Sequence, residues 1–197
     1  MTKASTARQN PSPSTALPPL DQPTRTMLMA FRPVLEEHLE DLVSAFLNYA
    51  TAWPEMRSIA SSPQAMYCFR QAQGRHLLNL FSGTFDEGYF ARVSQMGEAH
   101  ERAGLEPRWY LGAYGHVLKR LVELAIESCG TDAQRLLATV SAINRVVELD
   151  MACAVATLDA TPVPGPGGEQ KPPEGFEGLG RALIAAGASP SAKKSRL

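Results

Sequence analysis

Gln95-Met96-Gly97-Glu98-Ala99-His100-Glu101-Arg102-Ala103-Gly104-Leu105-Glu106-Pro107-Arg108-Trp109-Tyr110 reads as the end of one helix, a tight turn and the start of the next. Val93, Met96 and His100 recur at i, i+3 and i+7, the spacing of one helical face. His100 therefore sits on the apolar side of its helix. Gly97 lies one turn earlier, where the missing side chain lets a flat group come close. Gly104 is placed to close the helix as a left-handed cap, and Pro107 fits the first turn of the next one. A lone histidine on an apolar face is ordinarily a core residue bonded to a carbonyl. The chain around it decides between that role and a ligand.

Bulk properties narrow the field. The 197 residues suffice for one domain with tails, and 44% hydrophobic residues suffice for a core. Nineteen basic and 20 acidic residues leave a net charge of −1. No global basic field favours nucleic acid or an anionic membrane. Three cysteines, Cys68, Cys129 and Cys153, are far apart and odd in number, which fits reduced thiols in a cytosol. Neither a signal-type apolar core nor a run long enough to span a bilayer is present, so a soluble cytoplasmic protein is expected.

Outward from the central stretch the pattern is helical throughout, and no strand pattern of any length occurs. Residues 1–24 are rich in Ser, Thr and Pro and are expected to be a disordered tail. Residues 25–160 form the expected domain. Its first helical pattern carries Leu28, Phe31, Leu35, Leu39, Leu42, Phe46 and Tyr49 at steps of three and four. Pro33 should either separate a short leading helix or mark where the main one begins. Trp53-Pro54 should end it. Ser62 and Pro63 then open a helix to about Phe81. Phe69, Ala72, Gln73 and His76 share one narrow face there, a mixture of large, small and polar groups that points either to a ligand edge or to polar groups bonded to nearby backbone. Asp86 is placed to cap the helix bearing His100. Pro107 to Ser128 is strongly patterned, with Tyr110, Tyr114, Val117, Leu121 and Leu124 on one stripe, and Gly130 ends it. Thr131-Asp132-Ala133-Gln134 has the form of a capping box opening a long helix to about Asp159. That helix repeats apolar residues every seven positions, imperfectly near Asp150. A second flank adds Leu137, Val146 and Met151, which favours a dimer interface over burial within one domain. Residues 161–197 turn to Pro, Gly, Ala and Ser and read as a low-complexity linker or tail. The fold class is all-α, with disordered N- and C-terminal tails.

Four pieces in order resemble the sensor globin of globin-coupled sensors, a family related to protoglobins, and identify the helical domain as globin-like. They are Phe46 with Ala52-Trp53-Pro54-Glu55-Met56; Arg75 through Asp86 with Tyr89; Met96-Gly97-Glu98-Ala99-His100 with Gly104-Leu105; and Pro107-Arg108-Trp109-Tyr110 with Gly112-Ala113-Tyr114. The resemblance covers about residues 27–158. It implies a haem b (iron protoporphyrin IX) held through His100 as proximal ligand. A single neutral imidazole leaves the opposite side of the iron open to a diatomic gas, namely oxygen, carbon monoxide or nitric oxide. Met96 and Gly97 beside His100 suit a porphyrin. Tyr110 matches a family tyrosine near the proximal side and is placed to orient the imidazole. On the opposite side the resemblance puts Phe46, Leu47, Phe69, Ala72, Gln73 and His76.

One departure stands out. Family members commonly carry Phe-Tyr where this chain has Phe46-Leu47, and that tyrosine hydrogen-bonds bound oxygen. Leu47 cannot donate, and the second polar position falls at Ala72. Gln73 is then the expected distal donor, with His76 one turn further along, better suited to a propionate or a structural contact than to iron. Weak oxygen retention is expected, with carbon monoxide binding largely intact. The second departure is a tail in place of a transmitter domain, so a separate or fused signalling transmitter is the expected partner. The leading reading is a non-enzymatic haem-based gas sensor acting as a homodimer through the last two helices, without nucleic acid or membrane. The alternative is a haem-free globin-like interaction module in a signalling complex. A haem enzyme ranks last, because peroxide cleavage benefits from a distal acid or base and only Gln73 presents itself.

Overall fold

A computed structural model describes residues 18–53, 62–102 and 107–159. Most of the two expected tails, the break at Pro54 and the cap at Gly104 lie outside these residues. Among the described residues there are six helices and no strand: α1 (Gln22–Glu37), α2 (Leu39–Thr51), α3 (Pro63–Leu80), α4 (Glu87–Arg102), α5 (Pro107–Cys129) and α6 (Ala133–Asp159).

The caps explain most of these boundaries. α1 begins inside the stretch read as tail, because the Asp21 carboxylate accepts the Thr24 backbone N–H at 2.9 Å and Pro23 occupies the first turn. Leu20, just before the cap, is buried and ties the chain to the core. Pro33 lies inside α1 without ending it, and the break falls at His38, whose φ of −104° and ψ of 11° leave the helical region. The chain re-enters helix at once, with Leu42 N–H bonded to the His38 carbonyl at 3.0 Å. Asp86 caps α4 as expected, accepting from Tyr89 N–H at 2.8 Å. Gly130, at φ +54°, closes α5 in the left-handed region. The cap of α6 is Asp132 instead of Thr131: its carboxylate takes the Arg135 N–H at 2.9 Å, one residue along from the expected box.

α6 runs through the middle of the assembly. It packs on α1, α3, α4 and α5, while α2 packs on α3 and α5. The core draws on every helix, through residues such as Leu28, Leu35, Leu42, Leu77, Tyr89, Leu121 and Ile143. Each large apolar side chain removed from water contributes roughly 1.5–3 kcal/mol. Because α6 meets four helices, its second apolar flank is largely used at home. Val146 is 0% exposed and belongs to the core of its own chain, against the expectation that this flank faces a partner. Leu137 on the same helix is 69% exposed. α3 and α4 both pack on α6 and barely touch each other.

Candidate functional site

α4 contributes Val93, Met96, Gly97 and His100 from one face. Val93 and Gly97 are buried, and Met96 and His100 are partly buried. The helical step of 3.6 residues places them in line once Asp86 has fixed where the helix begins. Across from them, α3 supplies Phe69 and Ala72, both buried, and Gln73 and His76, both half-buried. α2 supplies buried Leu47 and half-buried Phe46, whose ring lies 5.9 Å from that of Phe69. Leu47, Phe69, Ala72 and Val93 belong to one continuous core, against which Phe46 and Met96 pack. Tyr110 lies on the first turn of α5, and its side chain is outside the described residues.

Tyr49, two residues past Leu47, turns away from this space. Its ring stacks on His116 at 5.2 Å. Its hydroxyl occupies the room a side chain at Gly112 would need, since a Cβ there would lie 2.6 Å from the Tyr49 oxygen. Tyr49 is thus fastened to α5, and the side chain that faces inward from this turn of α2 is Leu47.

The polar part of the site centres on a residue that periodicity marked only as an imperfection. Asp150 of α6 is 0% exposed. Tyr89 of α4 donates to its Oδ1 at 2.7 Å, His76 Nε2 of α3 meets its Oδ2 at 3.0 Å, and the Tyr114 hydroxyl of α5 donates to Oδ2 as well. One carboxylate therefore joins four helices. A carboxylate on an apolar stripe was the available signal, because a buried charge must find partners. Which partners it finds is not in the local pattern.

Electrostatics separate the two histidines. Burial pushes the His100 pKa down to about 4, helped by the nearby charge of His76 and partly opposed by that of Asp150. His100 is thus a neutral imidazole at neutral pH, the form that binds metals. Burial also works against charge on His76, but the adjoining Asp150 carboxylate outweighs it and raises the pKa. Asp150 in turn is penalised by burial, yet is held below the usual carboxylate range by His76 and the two tyrosine hydroxyls. Each partner thus favours the charged form of the other, across a His76 Nε2–Asp150 Oδ2 distance of 3.0 Å. Burial and then the Asp150 charge raise Tyr89 well above the usual phenol range, and the same two influences raise the Cys153 thiol to about 11.

These shifts fix the sign of a pH effect. Between about pH 6.5 and pH 4 the unfolded chain protonates position 100 and the folded chain does not, so folding stability falls as pH falls. The loss is at most about 3 kcal/mol at 1.36 kcal/mol per pH unit. His76 adds little slope there, because a raised pKa gives stability that is complete below about 6.5 and is lost only as pH rises through the folded value. Asp150 acts at still lower pH, where its stabilisation is lost as pH falls through its depressed value. Urea unfolding of the cofactor-free protein at pH 6.5 and 4.5 should show the decline, and His100→Phe should flatten it. An unchanged slope in His100→Phe would assign the decline to other groups.

Comparison with known proteins agrees with this arrangement of helices. Residues 19–158 match the family model described as Protoglobin. The chain is similar to the "Heme-based aerotactic transducer HemAT" of Halobacterium salinarum, with 27% identity over 114 residues, which are 57% of this chain and 23% of that protein. The chain thus spans less than a quarter of that relative's length. The fold is similar to that of the "globin domain of Geobacter sulfurreducens globin-coupled sensor", with a TM-score of 0.64, 19% identity, and coverage of 68% of this chain and 88% of that one. The six helices described here are thus a globin-like arrangement, and the match over residues 19–158 establishes that the chain belongs to the protoglobin family.

Proposed function

We propose that this chain is a haem-binding sensor globin: His100 holds the iron of a haem b, a diatomic gas binds on the opposite side, and the signal passes through a dimer. The observation that carries this reading is a partly buried imidazole, kept neutral by burial, on the face of α4 whose Val93 and Met96 join the core that holds Leu47, Phe69 and Ala72. The donor set fits the group. Haem needs one uncharged nitrogen ligand and apolar walls for its ring. His100 is the first, and Leu47, Phe69, Ala72, Val93 and Met96 supply the second, with buried Gly97 leaving room beside the imidazole. When bound, haem supplies an iron centre able to take up oxygen, carbon monoxide or nitric oxide.

The protein's own part is to hold that group, keep water from it and choose among gases. Tyr110 is assigned to orient His100 from the first turn of α5. Leu47 fills the position of the family's distal tyrosine and gives no hydrogen bond, so any polar contact to the gas must come from α3, where Gln73 and His76 lie. Signalling by binding, without catalysis, fits the name of the transducer relative, and a separate or fused transmitter is the partner such a sensor needs. No helix among the described residues is long and apolar enough to cross a membrane, and the cytoplasm is the proposed location.

The direct test is a titration with haemin. A Soret band that saturates at one haem per chain is expected. A protein that stays colourless would overturn the reading and favour the haem-free interaction module.

For the dimer, the exposed apolar residues define the surface. Leu137 of α6 is 69% exposed and Ile126 of α5 is 52% exposed, while Val146 and Val147 are buried in the chain's own core. A charge at Val146 would therefore test folding rather than assembly. Leu137→Glu with Ile126→Glu should dissociate the dimer and leave the helical spectrum and haem uptake intact. Sedimentation showing a wild-type monomer at high micromolar concentration would remove the dimer from the proposal.

A further inference from the structure

Leu47 and Ala72 leave the α2 and α3 walls apolar where a sensor of partly anionic gases gains from a hydrogen-bond donor. His76 lies on the same face of α3 as Phe69, Ala72 and Gln73, and its charge is felt at His100. Its Nε2 is committed to Asp150 at 3.0 Å, with the Tyr114 hydroxyl 3.4 Å away. Its Nδ1 makes no hydrogen bond among the described residues, and it is not among their sealed-off polar atoms. The side chain keeps 12% exposure. One ring nitrogen is therefore clamped and the other is open. We propose that His76, clamped as an imidazolium by Asp150, is the distal hydrogen-bond donor of this sensor, presenting Nδ1–H to a partly anionic ligand in place of the missing tyrosine. This rests on the haem-binding reading above.

Several observations favour His76 over Gln73. Gln73 is neutral, and no described residue fixes its amide. His76 is paired at 3.0 Å with a buried carboxylate that favours its charged form, and a charge-assisted bond is roughly twice as strong as a neutral one. Its orientation is fixed by a carboxylate that is itself fixed by Tyr89 and Tyr114. A protonated imidazole also has no lone pair for a metal, so the same clamp that makes His76 a donor keeps it from occupying the gas site. Burial and Asp150 of α6 set its protonation; the Tyr114 hydroxyl of α5 lies 3.4 Å from Nε2, Tyr89 of α4 shares the carboxylate, and His100 of α4 is close enough to feel the His76 charge. Charged residues of α1 and α2 that meet α3 are engaged elsewhere, Arg32 with the Leu78 carbonyl and Glu40 with Arg70.

The experiment uses the haem-loaded full chain with carbon monoxide and oxygen as probes. In the wild type the C–O stretch should be lowered by the donor, and it should rise in His76→Leu. His76→Gln keeps a donor for Asp150 and guards against misfolding, and it too should raise the stretch. Asp150→Asn should make the stretch pH-dependent near neutrality, because His76 then loses the charge that holds its proton. Gln73→Leu should raise the stretch less than His76→Leu does. Oxygen release should quicken roughly ten- to hundredfold in His76→Leu, the range for losing a hydrogen bond with a charged partner. An unchanged C–O stretch in both His76 variants would overturn the assignment. So would a six-coordinate ferrous spectrum that His76→Leu abolishes, since His76 would then be a ligand and not a donor. A protein that takes up no haem overturns the underlying reading, and this one with it, and the C–O measurement separates the two failures.

Discussion

His100→Ala is expected to remove the native Soret spectrum, with haem affinity falling at least about a hundredfold. Mutating a group that merely supports a metal ligand costs ten- to a hundredfold, and loss of the ligand itself sets the floor higher. The site offers no substitute nearby. His76 is held by Asp150 at 3.0 Å, and among the described residues no cluster of three or more His, Cys, Asp or Glu is placed to hold a metal ion. Because the mutation leaves a space the size of an imidazole, added imidazole should restore part of the spectrum. Met96→Leu, a volume-conserving change on the same face, should cost less than about 1.5 kcal/mol and keep the colour. The cofactor-free variant should lose less stability than wild type between pH 6.5 and pH 4.5, since it no longer carries a group whose protonation opposes folding. If His100→Ala binds haem with an unaltered spectrum, the iron ligand lies elsewhere and the proposed site is wrong.

The second large effect belongs to a residue that would touch neither iron nor gas. Asp150→Ala is expected to destabilise the protein by about 3–5 kcal/mol, the cost of removing one member of a buried, hydrogen-bonded ion pair. Against a total of roughly 5–15 kcal/mol, this is a large share. The substitution leaves His76 Nε2 and the Tyr89 and Tyr114 hydroxyls without their acceptor in the middle of the fold. Asp150→Asn keeps one acceptor oxygen and should cost less. Tyr89→Phe removes a single hydroxyl donor and should cost about 1–2 kcal/mol. Combining Asp150→Ala with His76→Leu should recover part of the loss, because no charge is then stranded. Urea denaturation at pH 7 reads all four. A loss under about 1 kcal/mol in Asp150→Ala would mean that water replaces the carboxylate and that the cluster is not a fastening.

The corrections to the pattern share a physical origin. Helix caps depend on residues three positions apart, so Asp86 and Gly130 were readable in sequence. Even so, Asp132 took the role of Thr131, since the helix begins at Ala133 and the carboxylate just before it gains from the helix N-terminus. Pro33 was a sound reason to expect a break, yet the helix passes through it. Phe31 and Leu35 on either side are buried, and their packing outweighs one lost backbone bond.

The sequence by itself determined that this is an all-α protein, where most helices start, and that His100 shares an apolar face with Val93 and Met96. All of these depend on periods of three to seven residues, which the local backbone enforces whatever the rest of the chain does. Only the tertiary structure decided what covers each face. Periodicity counts apolar positions on α6 without knowing that four helices surround it, so Val146 looked available to a partner when its own chain had buried it. The partners of Asp150 come from 74, 61 and 36 residues away in sequence. No local rule links such positions, because a hydrogen bond is formed where folding brings two groups within about 3 Å. Tyr49 and Leu47 make the same point at short range. Both are on one helix, but the open backbone at Gly112 draws Tyr49 to α5 and leaves Leu47 facing the site.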